Sequence, residues 1–305
     1  MAMTTLSTTI DAAGAGRVDL VVRALSGTSR GQVRGLVDHG CVSINGGPCE
    51  TIAAPVAAGD IVSIHYDPTQ RYHEKKKRQD DRTFSVSFED DHLIVVNKSA
   101  GLLTVPTDRN ESNTLVERVS IYLSHSRRIR EAWVVHRLDR DVSGLLVFGK
   151  HKPIADRLIA QFKRRKPQRV YAAIVAGVVS SDDGTLRSHL ATSKSLGRFS
   201  TRPSRKTEAA ITHYRVLSRM SDTTLVEVTL ETGKRNQIRV HFADAGHPVL
   251  GDPRYKTKQA MHPRWIRKRI ALHAKSLGFE HPLTGQAMTF ESPLPAALEK
   301  FLVKS

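Results

Sequence analysis

Residues 71–82, RYHEKKKRQDDR, carry charge at most positions and no apolar spacing of either helical or strand period, so they cannot lie inside a packed core. The run reads as a linker, either a solvated helix end or a tether whose cations touch phosphates, with Lys75, Lys76, Lys77 and Arg78 its densest part. It divides the 305 residues into a small N-terminal and a much larger C-terminal part, each long enough to bury its own core. The expected organisation is a flexible leader at 1–16, a small domain at 17–65, a basic linker at 66–84 and a second domain at 85–305. The leader is assigned on its small polar residues, which show no periodic apolar face.

Within the small domain, Val21, Val22 and Leu25 have the spacing of one helical face. Ser29-Arg-Gly-Gln32 forms a capping box for a second helix, which Gly40 ends. A short strand through Val42 and Ile44, a turn at Asn45-Gly46-Gly47 and a closing strand over Ile61–Ile64 complete the unit. Beyond the linker the pattern is rich in strands, at Leu93–Val96, Gly144–Phe148, Val170–Val175 and Leu225–Glu231. One helix begins at Pro153, buries Ile154, Leu158 and Phe162, and ends in Lys163, Arg164, Arg165 and Lys166. Another is expected after Thr232-Gly233, with Arg235 and Arg239 on a common side. Strands with occasional helices, lacking steady βαβ alternation, predict an α+β fold.

Lysine and arginine number 47 against 30 acids, a net charge of +17 that attracts polyanions, nucleic acid first among them in a cytoplasm. A generally basic proteome is the bland alternative. The two cysteines, Cys41 and Cys49, exclude a disulfide framework or a zinc ribbon. The 14 histidines include no HxH or HExxH pair, so no metal is expected. No signal-peptide core and no long apolar run is present, which predicts a cytoplasmic protein with no membrane partner.

Three clusters could carry chemistry. His136-Arg-Leu-Asp139-Arg-Asp141-Val-Ser-Gly144 is a charged loop between two apolar stretches, and strands at both ends can aim a carboxylate with little positional freedom. Arg137 and Arg140 would keep an aspartate ionised as nucleophile or base, although two solvated carboxylates in a turn remain a second reading. Thr232-Gly-Lys234-Arg235-Asn236 at a helix start can present N–H groups and cations to an anion. Arg169-Val-Tyr171 puts a tyrosine in a strand after a basic helix end, as core or as a stacking platform for a base.

In this order the clusters resemble the RluA-type pseudouridine synthases, whose pattern is HRLDxxTSG, a basic–x–Tyr strand, TGRxHQIRxH, GhPilGDxxY and a late LHA. The counterparts here are HRLDRDVSG from His136, RVY at Arg169, TGKRNQIRVH from Thr232, GHPVLGDPRY from Gly246, LHAKSLGFEHPLTG from Leu272 and SPLP from Ser292. LIVVNKSAGLLTVP, residues 93–106, is similar to the family's opening strand, with Ser99 where proline is usual. Residues 17–65 look like the small RNA-binding domain named after ribosomal protein S-four. The match spans most of residues 85–298.

The resemblance implies a mainly antiparallel catalytic sheet, no cofactor, and isomerisation of uridine to pseudouridine in structured RNA, with large-subunit ribosomal RNA the expected partner and a monomer the expected state. It implies Asp139 as the catalytic carboxylate, Tyr171 packed on the target base, Arg239 paired with Asp139, and Ile238 walling the base. Arg137 would fill the stack when uridine flips out. Lys234, Arg235, Arg30 and Arg34 would contact RNA. Val142 stands where the family prefers threonine, and Lys234, Arg235 and Asn236 replace arginine, threonine and histidine, which bears on substrate choice. A catalytically inactive ribosome-assembly factor is the alternative. A glycoside hydrolase is disfavoured, because Asp139 and Asp141 are too close in sequence and no second acidic motif exists.

Overall fold

The computed structural model describes residues 3–12, 14–49, 51–72, 81–108, 110–124, 131–165, 167–193, 197–265 and 269–303. The Lys75–Arg78 run and Lys166 lie outside them. The chain forms two compact units, Met1–Gln79 and Asp80–Ser305.

In the first unit, β1 (Thr4–Thr9), β2 (Gly16–Arg17), α1 (Val18–Ser26), α2 (Arg30–Asp38), β3 (Val42–Ile44), β4 (Gly47–Pro48), β5 (Pro55–Val56) and β6 (Ile61–Tyr66) follow in order. The main sheet runs β1-β6-β3-β4, and β2 pairs with β5. Ser29 and Gln32 form the expected capping box on α2, each side chain bonding the other's backbone N–H at 3.4 Å. Asn45 and Gly46 both take positive φ, as a two-residue hairpin turn requires. Val18, Val22, Val33, Leu36, Val62 and Ile64 fill the core, with Val21 and Leu25 at its margin.

Two boundaries differ from the sequence expectation. The leader is not flexible throughout, because Thr4–Thr9 pairs residue for residue with Ile61–Tyr66 as an antiparallel edge strand. Its alternate residues are half-buried and Leu6 packs on the core, so β-branched threonines supply a strand where apolar alternation is missing. The unit also extends past residue 65. Tyr72 is buried, and its hydroxyl accepts a hydrogen bond from the Asp67 backbone N–H at 2.8 Å.

The second unit contains β7 (Phe84–Glu89), β8 (Leu93–Lys98), α3 (Leu115–Leu123), β9 (Trp133–Val134), β10 (Ser143–Gly149), α4 (Lys152–Lys163), β11 (Gln168–Ala176), β12 (Asp183–Thr192) and β13 (Arg198–Thr201). It continues with β14 (Glu208–Arg219), β15 (Thr223–Leu230), α5 (Gln237–Asp244), α6 (Thr257–Ala260), β16 (Leu272–Glu280), β17 (Ala287–Glu291) and α7 (Ala296–Val303). One sheet runs β13-β12-β14-β15-β11-β16-β10-β8-β7, with β17 on β16 and β9 on β10. Every pairing is antiparallel except β10 with β16, and the α+β expectation is met. No helix among the described residues is long and apolar enough to cross a membrane.

The continuous apolar runs of β8 and β10 follow from burial on both faces. Leu93, Val95, Leu145 and Val147 pack with Ile154 and Leu158 of α4. Their neighbours Ile94, Val96, Leu146 and Phe148 belong to the larger core with Leu115, Val119 and Leu123 of α3. Sandwiched in this way, the β9-to-β10 connection, which carries His136 to Val142, springs from a rigid base.

Where β10 meets β16 the two backbones are very close. Gly144 has φ of 122°, and a Cβ built there would sit 2.3 Å from the Ala274 carbonyl oxygen. Only glycine fits at this junction, directly behind the charged loop. Gly144→Ala should therefore cost about 2–4 kcal/mol and lower the melting temperature by roughly 5–15 °C, read by calorimetry or circular dichroism. An unchanged melting temperature would show that the strands can part there freely.

Candidate active site

The loop between β9 and β10 is held from behind by atoms that never face solvent. Thr104, itself buried, donates to the Leu138 carbonyl at 2.8 Å and accepts from the Leu138 N–H at 3.1 Å. Lys98, 1% exposed, donates its ammonium to the carbonyls of Ser99, Leu102 and Arg140 at 2.8–3.0 Å. Burial lowers the Lys98 ammonium to about 7, against the upward pull of Asp141 and Asp139. The Gly101 N–H also reaches Arg140, and the Ile270 N–H reaches Asp141. With the backbone fixed on both sides of it, Asp139 can hold one position.

The Asp139 side chain projects into a cleft of about 520 Å³. Its Oδ2 accepts from Arg239 Nη1 at 2.7 Å, and among the described residues its Oδ1 has no hydrogen-bond partner. Arg239 comes from α5, whose residues Gln237–Ala243 are all buried. Its other two nitrogens grip a second carboxylate, Asp252, at 2.6 and 2.9 Å. Burial alone would lower the Arg239 guanidinium, but the bonds and charges of Asp252 and Asp139 outweigh it and raise it. Asn236 Oδ1 accepts from Nη1 at 3.2 Å, and the guanidinium lies over the Tyr255 ring at 5.1 Å.

Tyr171 lines the same cleft from β11, where the pairing with β16 slips by one residue between Val170 and Tyr171. Such a bulge re-aims a side chain. Burial, reinforced by the Asp139 charge, pushes the Tyr171 hydroxyl above its ordinary value, so it stays protonated at neutral pH. Arg169 lies across the Phe162 ring at 5.7 Å, and among the described residues its Nε has no hydrogen-bond partner. Gly233 makes room for it, since a Cβ there would stand 2.0 Å from Arg169 Nη1.

Of the expected site residues, Asp139, Tyr171, Arg239, Arg137, Ile238, Lys234 and Arg235 all line this one cleft. Ile238 is buried in its wall, while Arg137 and Arg235 are exposed. Lys234 is not a bare cation, for it pairs with Glu208 at 2.8 Å. Arg235 does not share the helix with Arg239, because α5 begins only at Gln237 after Asn236 turns the chain at φ 58°. Arg30 and Arg34 belong to the first unit, where both are exposed on α2. Asp141 does not line the cleft, leaving Asp139 its single carboxylate among the described residues. Burial pushes the Asp141 carboxyl up, with repulsion from Asp139 adding to it.

Sequence reasoning missed Asp252, Tyr255, Lys98 and Thr104 as parts of the site. The signal for Asp252 and Tyr255 was present in GHPVLGDPRY, and that for Lys98 and Thr104 in LIVVNKSAGLLTVP.

Residues 92–244 match the RNA pseudouridylate synthase family, and residues 17–62 match the S4 domain. The chain belongs to the RNA pseudouridylate synthase family and is an enzyme, preceded by an S4 domain. It is 34% identical over 277 residues to an uncharacterized RNA pseudouridine synthase of Bacillus subtilis, covering 90% of this chain and 88% of that one. It is also 34% identical over 281 residues to ribosomal large subunit pseudouridine synthase D of Zymomonas mobilis, covering 89% and 87%. Among solved structures, human RNA pseudouridylate synthase domain containing 4 shares the fold, with a TM-score of 0.60 at 23% identity over 72% of this chain and 92% of that one.

One histidine in the cleft wall, His136, and one behind the loop, His273, make stability depend on pH. His136 stacks on Phe162 at 4.6 Å and its Nε2 accepts from the Val147 N–H, and burial with the Arg169 charge lowers it to about 3. His273, beside Ser143, is lowered to about 4 by burial and by Arg269. Below about pH 6.5 the unfolded chain takes up protons that the folded chain refuses, so protonation favours unfolding. Stability is thus complete above that pH and falls as pH drops toward 4. His136→Gln should flatten this decline in urea-unfolding midpoints measured from pH 7 to 4; an identical slope would place the dependence elsewhere.

Proposed function

We propose that the enzyme converts uridine to pseudouridine in large-subunit ribosomal RNA, using Asp139 as the catalytic carboxylate and a target nucleotide turned out of its stack. The names of its relatives support that RNA, as does a net charge of +17. The observation that carries the reading is the state of Asp139, a lone carboxylate in a basic cleft with Oδ2 clamped by Arg239 and Oδ1 left for substrate.

The reaction conserves atoms. The bond from uracil N1 to the ribose breaks, the freed base turns while bound, a bond from C5 to the same ribose carbon forms, the C5 proton leaves and N1 gains one. Asp139 acts at the ribose or base with Oδ1, positioned to within hydrogen-bond tolerance by Arg239. Tyr171 offers its ring to the base, and Ile238 closes the wall behind it. A cleft of about 520 Å³ admits one nucleotide and not a duplex, so the uridine must leave its helix. Arg137, exposed while lining the cleft, takes the vacated place in the stack. In this reading the enzyme acts as a monomer. Arg30 and Arg34 on the S4 domain add phosphate contacts.

Asp139→Asn should abolish pseudouridine formation, with RNA affinity kept within a few-fold, because affinity rests on many phosphate contacts. Carbodiimide-dependent reverse-transcription stops in total RNA, from cells with and without the gene, identify the product and its position. Appreciable turnover by the Asn variant would remove Asp139 from the mechanism.

Tyr171→Phe should keep more activity than Tyr171→Ala, since a base stacked on an aromatic ring is worth roughly 1–3 kcal/mol and phenylalanine retains most of it. Equal loss in both would assign the role to the hydroxyl.

A further inference from the structure

A second cleft, of about 740 Å³, shares no lining residue with the first yet adjoins the catalytic loop through Lys98 and Ser143. Its walls carry Arg82, Lys98 and Arg269 against one acid, Asp81. That acid is already engaged, with Oδ2 held by Arg118 at 2.9 Å and Oδ1 by Thr83. The three protons of Lys98 are spent on carbonyls. Arg269 is the exception. It is half-buried and has no carboxylate partner among the described residues, and its one hydrogen bond runs from Nη2 to Ser143 Oγ at 2.9 Å. Nε is buried without a partner and Nη1 makes no hydrogen bond among the described residues. A guanidinium taken from water without a counter-ion is unfavourable, and burial lowers its basicity accordingly.

The arrangement is nonetheless built. Ser143 Oγ lies 2.9 Å from His273 Nδ1, and His273 is 1% exposed, its Nε2 without a hydrogen bond among the described residues. This line from His273 through Ser143 fixes the guanidinium plane at the cleft wall. Around it, Phe84, Pro293, Leu294 and Pro295 supply an apolar wall, and Asn97 and Ser99 supply polar edges. The volume exceeds what a bare ion needs and suits a phosphate with the sugar and base attached.

We propose that this cleft is a phosphate site that takes a second nucleotide of the RNA, its phosphate on Arg269 and Arg82 and its sugar and base against Phe84 and Pro293–Pro295. The proposal rests on the RNA reading above only for the source of the phosphate. A guanidinium missing its anion then gains one when substrate docks, and the same Ser143 that holds Arg269 opens β10 behind the catalytic loop.

The test uses the full chain in an Asp139→Asn background, so that it reads binding whether or not the protein isomerises uridine. Arg269→Gln and Arg82→Gln are compared with their parent for binding to a structured large-subunit ribosomal RNA fragment over a salt series. Each should bind about three- to tenfold more weakly, with a slope of log affinity against log salt shallower by roughly 0.7–0.9. In parallel, inorganic phosphate is titrated into protein labelled with nitrogen-15 in arginine, and the Arg269 Nε–H resonance should move with phosphate. Movement with no change of slope in either variant would overturn the RNA assignment and identify a small free phosphate as the occupant. No movement and no change of slope would overturn the site itself. Arg82 is exposed at the rim, so its variant keeps the test decisive if Arg269→Gln fails to fold.

Discussion

One guanidinium between two carboxylates organises the catalytic unit. Arg239 joins Asp139, from the loop before β10, to Asp252, from the turn after α5, and all three are largely or wholly removed from water. Arg239 and Asp252 are the buried pair, and breaking it would leave an uncompensated charge at strong cost, whereas Asp139, with 26% of its side chain exposed, reaches the cleft. Asp252 is completed by the N–H groups of Arg254 and Tyr255 at 2.8 and 3.1 Å, which use the acceptor sites that Arg239 leaves open. α5 must be buried on every side to bring Arg239 to this point, which explains why its apolar periodicity is weak and why polar Gln237 and His241 lie inside it. Gln237 bonds Thr232 and Thr212, and His241 bonds Thr212 and Ser188, so burial of these groups leaves no donor wasted.

The departures from the family pattern read differently once placed. Val142 packs in the main core at 2% exposure, where a threonine hydroxyl would need a partner. Asn236 adopts a left-handed conformation that asparagine tolerates better than most residues. Its amide then bonds both Arg239 and the Tyr255 hydroxyl, so this replacement supports the clamp as well as facing the cleft. Lys234, tied to Glu208, can exchange that exposed pair for a phosphate at small cost.

Much of this was legible in the sequence wherever a period or a turn residue carried the information. The strands β8, β10, β11 and β15, the capping box at Ser29 and the turn at Asn45-Gly46 all follow from local rules. The polar strand β1 did not, because TTLSTT offers one apolar residue and owes its conformation to a partner more than fifty positions away. Lys98 has the look of a surface cation closing a strand, and its burial depends on three carbonyls, two from the turn that follows it and one 42 positions further on. The ordered motifs brought Asp139, Tyr171 and Arg239 together on paper, whereas Asp252 stood in a quoted motif without a role until its carboxylate was found against Arg239. Pairings across long stretches of chain are what local pattern cannot carry.

The parallel contact of β10 with β16 sets a condition on when the Asp139 loop can exist. Ser143 pairs with His273, 130 positions later, and Asp141 accepts from the Ile270 N–H. A chain still leaving the ribosome has made His136 to Gly144 long before it has made the residues that brace them from behind. Contacts of such sequence separation form slowly, because the loop entropy is lost before the contacts are gained. The nascent chain therefore carries its whole S4 domain sequence while its cleft is still unassembled, and competence to modify RNA comes only with the last strands of the sheet.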